Sequence, residues 1–145
     1  MASSITTNGG DAWLDMLTGV QPLPTEYYVA LTTGVPALDD DGTTLSDVEV
    51  AGASYARQSI ATGVDAWAPA AAHTISNLIS LDFGEAEEDW GIITHFVLCT
   101  AVTGGETYAF GEFSTPQRVM AGNSVIIGQG GLVLTISSPD SMGVL

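Results

Sequence analysis

The segment that most constrains the fold is residues 90–113, whose pattern predicts a buried β-hairpin. Residues 92–101 are almost continuously apolar, with only three polar interruptions. A strand that is apolar on both faces is normally covered on both, so we expect it at the centre of a sheet. Gly104 and Gly105 follow, and they supply the positive φ angles that a tight hairpin needs. An aromatic return strand completes the hairpin, which we take as the nucleus of a β-rich core.

Strict alternation along the first strand of this hairpin predicts two apolar faces. One face would carry Ile92, Phe96 and Leu98, and the other Ile93, Val97 and Cys99. Cys99 is the single cysteine, so no internal disulfide is possible. Its apolar surroundings predict a small buried hydrophobe rather than a nucleophile.

The rest of the chain predicts an all-β fold: an antiparallel sandwich or barrel of about eight short strands, with one short N-terminal helix. A length of 145 residues fits one domain. Further strands are predicted at 26–33, 48–50, 54–62, 79–83, 117–120, 125–127 and 132–137. In the last of these, Leu132, Leu134 and Ile136 are expected to face inward and to close the sheet.

Three parts are predicted along the chain: a flexible or partner-bound arm over residues 1–10, a single β domain over 11–138, and a loose tail over 139–145. The helix is expected at 11–19, with Asn8 or Asp11 as its N-cap and Gly19 at its C-terminal stop. Its apolar positions at helical spacing are Trp13, Leu14 and Leu17. We expect this apolar face to pack on the core, with a partner site as the alternative.

Charge is the most unusual property of the composition. The chain has 17 acidic residues and no lysine, which gives a formal net charge of −15. Such a surface repels phosphate groups, so it argues against nucleic-acid binding and against anionic membranes. It favours solubility and a basic or cation-bridged partner. The start of the chain has no signal-peptide pattern, and no apolar segment is long enough to span a bilayer, so synthesis in a cytoplasm is expected.

The only two cationic side chains are Arg57 and Arg118. We expect each to pair with a carboxylate, either within the chain or across a subunit contact. Together with Trp13 they are the candidate interaction residues.

The acidic run before Gly42 invites comparison with a calcium loop. An EF-hand with Gly42 at its sixth position would need acidic ligands at Ala37 and Val48, so the pattern fails. A looser cation site is the weaker alternative to a solvated acidic turn. Its candidate ligands are Asp39, Asp41, Asp47 and Glu49.

No motif in the chain indicates catalysis. His95 lies mid-strand and is expected to be a hydrogen-bonded structural residue. The sequence contains no Gly-x-Ser-x-Gly elbow, no phosphate loop and no zinc-ligand spacing. We therefore predict a protein without enzymatic activity and without a cofactor.

Two motifs carry a family resemblance: Gly52-Ala-Ser-Tyr-Ala-Arg-Gln58 and Trp90-Gly-x-x-Thr-His-Phe96. With shorter motifs in the same order over about residues 26–136, they resemble a family of small tailed-bacteriophage virion proteins, usually described as tail-fibre or minor structural proteins. The chain departs from the family pattern at residues 96–100, where Phe-Gly-Ile-Phe-Asp would be expected, and at Arg118, where lysine is more usual.

The resemblance implies a non-enzymatic virion component that contacts other phage structural proteins. We expect a module of the tail tip or fibre region, assembled as a symmetric homo-oligomer, with a trimer as the expected form. The alternative within this class is a capsid decoration protein bound to the major capsid lattice. A competing class is a cation- or carbohydrate-binding β-sandwich, in which Trp13, Trp67 and Tyr27 would form a sugar platform.

Overall fold

Nine strands and one α-helix make up the described part of the chain, residues 3–135, in the computed structural model. In chain order the elements are β1 (Ser3–Ile5), α1 (Thr7–Thr18), β2 (Glu26–Thr32), a 3-10 helix (Thr44–Asp47), β3 (Gln58–Ala61), β4 (Thr74–Ser76), β5 (Leu81–Glu85), β6 (Gly91–Cys99), β7 (Thr107–Val119), β8 (Ser124–Ile127) and β9 (Val133–Thr135). The strands pair antiparallel throughout. The predicted all-β fold with one short N-terminal helix is confirmed.

The main sheet has five strands in the order β1-β7-β6-β2-β3, with β6 at its centre as predicted. Its outer strands, β1 and β3, do not pair with each other, so the sheet is open and does not close into a barrel. Two two-stranded ribbons, β4-β9 and β5-β8, accompany it. Within residues 3–135 the structure contains no helix with the length and apolar character to cross a membrane.

Both faces of the central strand are buried, as its composition requires. Phe96 and Leu98 join the larger hydrophobic cluster, which also contains residues of the β5-β8 ribbon. Val97 and Cys99 join a smaller cluster with Leu45 of the 3-10 helix. Full burial of side chains this size contributes roughly 1.5–3 kcal/mol each, so this strand contributes to two cores at once.

The strict alternation predicted for β6 is wrong at its beginning. Ile93 joins the cluster of Phe96 and Leu98, whereas Ile92 is 46% exposed. The pairing with β7 shifts register between Ile93 and His95. An irregularity of this kind transfers the following side chains to the opposite face, which a strict two-residue period does not anticipate.

The same irregularity explains the length of β7. The sequence predicts a separate short strand at 117–120 after the return strand of the hairpin, but one strand runs from Thr107 to Val119. Between the pairs Ile93–Gln117 and His95–Glu112, β6 contributes one residue and β7 contributes residues 113–116. Proline lacks the N–H that regular pairing requires, and a bulge is where a strand tolerates it.

The turn of the central hairpin is longer than a two-residue turn. Gly104 and Gly105 both have positive φ, +62° and +73°, as predicted. The last paired contact joins the Thr100 amide to the Glu106 carbonyl, so the loop spans residues 101–105.

The described residues of the expected arm, 3–10, lie in β1 and at the beginning of α1. Ser3–Ile5 pairs with β7, and α1 already begins at Thr7. The N-cap is Thr6, whose Oγ1 accepts a hydrogen bond from the Gly9 amide at 3.0 Å, and not Asn8 or Asp11. Gly19 ends the helix in the left-handed region with a φ of 82°, as predicted.

Several predicted strands differ in extent or partner. The strand expected at 54–62 contracts to Gln58–Ala61, and the one expected at 79–83 lies at Leu81–Glu85. Residues 48–50 provide only an isolated bridge, Glu49 to Thr32. The last strand pairs with β4 in a ribbon instead of closing the main sheet. Ile136 and the predicted tail lie outside the described residues, and the single domain over 11–138 stays a prediction.

Candidate functional site

Helix α1 presents its large apolar side chains to solvent, contrary to the expected packing on the core. Only Gly9 and Ala12 of this helix are buried. Residues in and just after it form an exposed apolar patch, which we call the α1 surface: Trp13 (50% exposed), Leu14 (60%), Leu17 (77%), Val20 (76%) and Leu23 (65%). The helix is therefore attached to the sheet by its small residues and leaves its apolar face without a partner in the described chain.

Gly9 is the reason for this orientation. A Cβ atom added at Gly9 would overlap the carbonyl oxygen of Tyr108 on β7. The Thr6 amide also donates to that carbonyl, at 3.0 Å, and the Thr6 hydroxyl donates to the Thr107 carbonyl. Because the helix backbone lies directly on the strand backbone at this point, the larger residues of the helix must point elsewhere.

A groove of about 740 Å³ opens beside the α1 surface. Four aromatic residues line it, from α1, β2, the loop before β4, and β7: Trp13, Tyr27, Trp67 and Tyr108. Aliphatic residues supply most of the remaining lining, including Met16, Leu23, Ile75, Leu98 and Leu134. The structure thus brings together Trp13, Trp67 and Tyr27, the three residues of the candidate sugar platform.

The polar ends of two of these aromatic residues already have partners within the protein. Trp67 Nε1 donates to the Ala61 carbonyl at 3.0 Å, and the Tyr108 hydroxyl accepts from Gln21 at 3.1 Å. Tyr27 and Tyr108 meet edge to face, with ring centroids 5.8 Å apart. The groove therefore offers mainly apolar surface, which suits an apolar partner better than a polyhydroxylated one.

Arg57 is buried and forms hydrogen bonds with three loop segments, at Gly42, at Glu49 and at residues 101–104, so we call it a three-loop hub. Its Nε and Nη2 atoms donate to the two carboxylate oxygens of Glu49, each at 2.8 Å. Further hydrogen bonds run to the carbonyls of Gly42 at 2.8 Å and of Ala101 and Gly104 at 3.0 Å. The hydrogen bonds to Glu49 raise the pKa of the guanidinium above its ordinary value. The expected carboxylate pair is thus internal, and Arg57 is not available to a partner.

Tyr55 extends this network toward the main core. Its hydroxyl donates to Glu49 at 2.8 Å and accepts from the Leu31 amide at 2.9 Å. Burial, followed by the neighbouring Glu49 charge, raises the pKa of the phenol far above its ordinary value. The ring packs edge to face on Trp90, with centroids 5.5 Å apart. Glu49 is therefore fully engaged by Arg57 and Tyr55.

The four candidate cation ligands do not form a site. Within residues 3–135, no group of histidine, cysteine, aspartate or glutamate side chains converges closely enough to hold a metal ion. Glu49 is engaged as described, and Asp41 accepts hydrogen bonds from the amides of Thr43 and Thr44 at 2.7 and 2.8 Å. These bonds lower the pKa of Asp41. Asp39 and Asp47 are exposed. The Asp41 carboxylate thus stabilises the conformation of the loop in which it lies.

His95 and Cys99 are buried in β6. The Nδ1 atom of His95 lies 2.8 Å from the Thr94 hydroxyl, and its Nε2 atom lies 3.7 Å from Glu112. Burial lowers the pKa of His95, and the Glu112 carboxylate partly opposes this. Burial raises the pKa of the Cys99 thiol to about 12. The predictions that His95 is hydrogen-bonded and that Cys99 is buried are confirmed.

Arg118 contrasts with Arg57. It lies on β7 opposite Ile92, is exposed, and forms no ion pair with another described residue. It is the one exposed cation among residues 3–135, because Arg57 is buried and the chain has no lysine.

The chain matches the sequence model of one protein family over almost all of the residues described above. The sequence model of the family described as podophage GP4 fiber I protein gp80 matches residues 4–135. The chain belongs to this family. As a member of the fiber I family it is a phage structural protein of the tail-fibre type, and so a virion component that associates with other phage structural proteins. No curated protein matches the chain.

The match to the fiber I family extends from the second residue of β1 to the end of β9. Two features of this structure were not the expected ones: the outward face of α1, which the sequence offered only as the alternative, and the three-loop hub at Arg57. The sequence does contain a pattern that indicates the outward face of α1. Gly9 and Ala12 lie three residues apart, and small residues at that spacing mark a helix face that lies close to its support.

Proposed function

We propose that this protein is a non-enzymatic module of the tail tip or fibre region, made in the host cytoplasm and incorporated into the virion by assembly. The observation that carries the proposal is the fiber I family match over residues 4–135. The net charge of −15 supports partners that are proteins rather than nucleic acid or anionic membrane.

The proposed absence of enzymatic activity has its own support. The thiol of Cys99 is buried with a raised pKa, which removes its nucleophilic thiolate form at neutral pH. His95 is buried beside Thr94 and Glu112 and offers no open position for a substrate. Neither residue lines the groove beside α1.

We further propose that the protein forms a symmetric homo-oligomer, a trimer, within the virion. Strand β3 forms one outer edge of the main sheet, and its backbone can pair with an added strand except at the Ala61 carbonyl, which accepts from Trp67. Sedimentation equilibrium of the purified protein tests this: a mass of three chains is expected, and a mass of one chain at virion-like concentrations contradicts it.

The main test is the copy number of the protein in purified phage particles, measured by quantitative mass spectrometry against the major capsid protein. A few copies to a few tens per particle are expected of a tail or fibre module. A ratio near that of the capsid protein would instead identify a capsid decoration protein, the second candidate. Absence from the particles would overturn both.

A further inference from the structure

We propose that the α1 surface and the adjoining groove dock another protein of the virion, through a segment that is apolar at its centre and flanked by lysine or arginine. This inference rests on the proposed function, because it names the chemistry of the structural partner. It is carried by three observations: the apolar exposure, the volume and apolar lining of the groove, and the charge around them.

The apolar exposure is large for a surface that faces only water. The five residues of the α1 surface are each at least half exposed, and they lie close together in the chain, on α1 and the segment that follows it. Trp13 and Leu23, at the two ends of this stretch, line the same groove. Contiguous apolar patches on soluble proteins mark interaction sites, whereas scattered apolar residues do not. Trp13 links the patch to the groove, and tryptophan is enriched among residues that dominate binding energy.

The groove adds a place for an anchoring side chain. At about 740 Å³ it exceeds the volume of any single side chain, and its lining is predominantly apolar. Interfaces of this kind typically insert one or two aromatic or aliphatic side chains into such a pocket and exclude water around them. A segment of a neighbouring protein that lies along α1 would bring its side chains directly over the opening.

The charges around the patch decide between a basic partner and a second copy. Asp11 and Asp15 lie on α1 itself, and Glu106 is attached to the helix through a hydrogen bond from Asn8. The residues of β6 opposite Tyr108 and Arg118 are about six positions apart, near Leu98 and at Ile92, so Arg118 lies roughly 20 Å from Tyr108, which is under α1, at about 3.3 Å per residue. Whichever surface it presents, a second copy offers only one exposed cation among residues 3–135, Arg118, so a different partner with basic flanks is favoured.

Position-specific photo-crosslinking in intact particles tests this directly. A phage that carries benzoylphenylalanine in place of Leu17 is purified and irradiated, and adducts are identified by mass spectrometry. Ile126 on β8 is the matched control position, because it is 61% exposed and belongs to the β5-β8 ribbon. The groove is lined instead by residues of the β4-β9 ribbon. We expect an adduct at position 17 with a different virion protein, through a peptide that contains lysine or arginine, and no such adduct at position 126.

Two pairs of variants separate the apolar and the charged contributions. Leu17→Asp is expected to lower the copies per particle about tenfold, since it places a charge in an apolar contact, while Ile126→Asp changes them less than about twofold. Asp15→Lys is expected to lower incorporation through repulsion of the basic flanks, while Glu85→Lys, at an exposed position on β5, does not. All four positions are at the surface, and unchanged thermal unfolding verifies that the fold is intact.

Three outcomes overturn the inference. Adducts at position 17 only between copies of this protein would assign the surface to a self-contact. No adduct at position 17 above the level at position 126 would leave the surface without a protein partner. If Trp13→Ala abolishes adsorption to host cells while the copy number is unchanged, the groove binds a cell-surface glycan. Each of these leaves the proposed function standing, whereas absence of the protein from particles overturns both.

Discussion

Arg57 and Glu49 form a doubly hydrogen-bonded ion pair inside the protein, with Nε–Oε2 and Nη2–Oε1 distances of 2.8 Å. Their side chains are only 3% and 13% exposed. The remaining guanidinium N–H groups donate hydrogen bonds to the backbone carbonyls of Gly42, Ala101 and Gly104. A single side chain thereby joins the acidic loop to the turn of the central hairpin. The pair also neutralises one of the few cations in a very acidic chain.

Loss of Arg57 should be among the most damaging substitutions. Arg57→Ala leaves the Glu49 carboxylate with only the Tyr55 hydroxyl as a donor and leaves three carbonyls without a donor. Breaking a buried ion pair by removing one partner costs about 3–5 kcal/mol. We expect that loss in the free energy of unfolding, measured by urea denaturation. Arg118→Ala, at the exposed arginine, should change it by less than about 0.5 kcal/mol.

A double-variant cycle provides the control for this assignment. The single variants are Glu49→Met and Arg57→Met. The double variant should recover part of the stability that Arg57→Met loses, because no unpaired charge remains. Equal effects of Arg57→Ala and Arg118→Ala would show that the pair does not stabilise the fold.

Gly9 and Gly10 should respond to alanine in opposite directions. At Gly9 a Cβ would overlap the Tyr108 carbonyl, so Gly9→Ala must displace α1 from β7 and is expected to cost about 1–3 kcal/mol or more. At Gly10 the nearest atom to a Cβ is Ile5 Cγ2 at 3.9 Å, so Gly10→Ala should stabilise the helix by up to about 1 kcal/mol. Thermal unfolding of both variants measures the difference. A decrease of similar size in both would mean that α1 does not depend on close approach at Gly9.

Alkaline pH should destabilise the protein through Cys99. The pKa of this thiol is raised to about 12 in the folded state, against an ordinary value of 9.0. Its stabilising contribution is therefore complete below pH 9 and is lost as the pH rises toward 12, at about 1.4 kcal/mol per pH unit. The raised pKa of Tyr55 acts in the same direction above pH 10.

Comparison with Cys99→Ala isolates the thiol, because that variant keeps Tyr55. Between pH 8 and pH 11 the stability of the wild type should fall by about 2–3 kcal/mol relative to the variant, measured by urea unfolding. Parallel pH curves for the two proteins would mean that the thiol ionises as readily in the fold as in the unfolded chain.

Calcium should have no specific effect on stability. A ligand that binds only the folded state raises the melting temperature in proportion to its occupancy, and the four candidate carboxylates do not converge on a site. We expect melting temperatures in calcium and in magnesium, at equal concentration, to agree within about 1 °C. Magnesium is the control because any divalent cation screens an acidic surface. A clear additional increase with calcium would show a binding site.

Local patterns predicted the features that depend on neighbouring residues. The apolar run of β6 identified the central strand because burial on both faces leaves no room for polar side chains. Gly19, Gly104 and Gly105 were placed correctly because the left-handed backbone strongly favours glycine. The predictions from sequence pattern were wrong about the face on which Ile92 lies and about the continuity of β7 at Pro116. Both depend on a register shift between β6 and β7, which is determined by the two strands together.

The amino-acid sequence by itself determined the all-β class, the central hairpin, the burial of Cys99 and the acidic surface, since each follows from composition or from short-range periodicity. Only the tertiary structure decided that Arg57 is a buried hub, because its partners at Gly42, Glu49 and Ala101 are distant along the chain. It also decided that α1 faces outward. Helical periodicity identifies an apolar face, but the contact between Gly9 and Tyr108 determines which way that face turns.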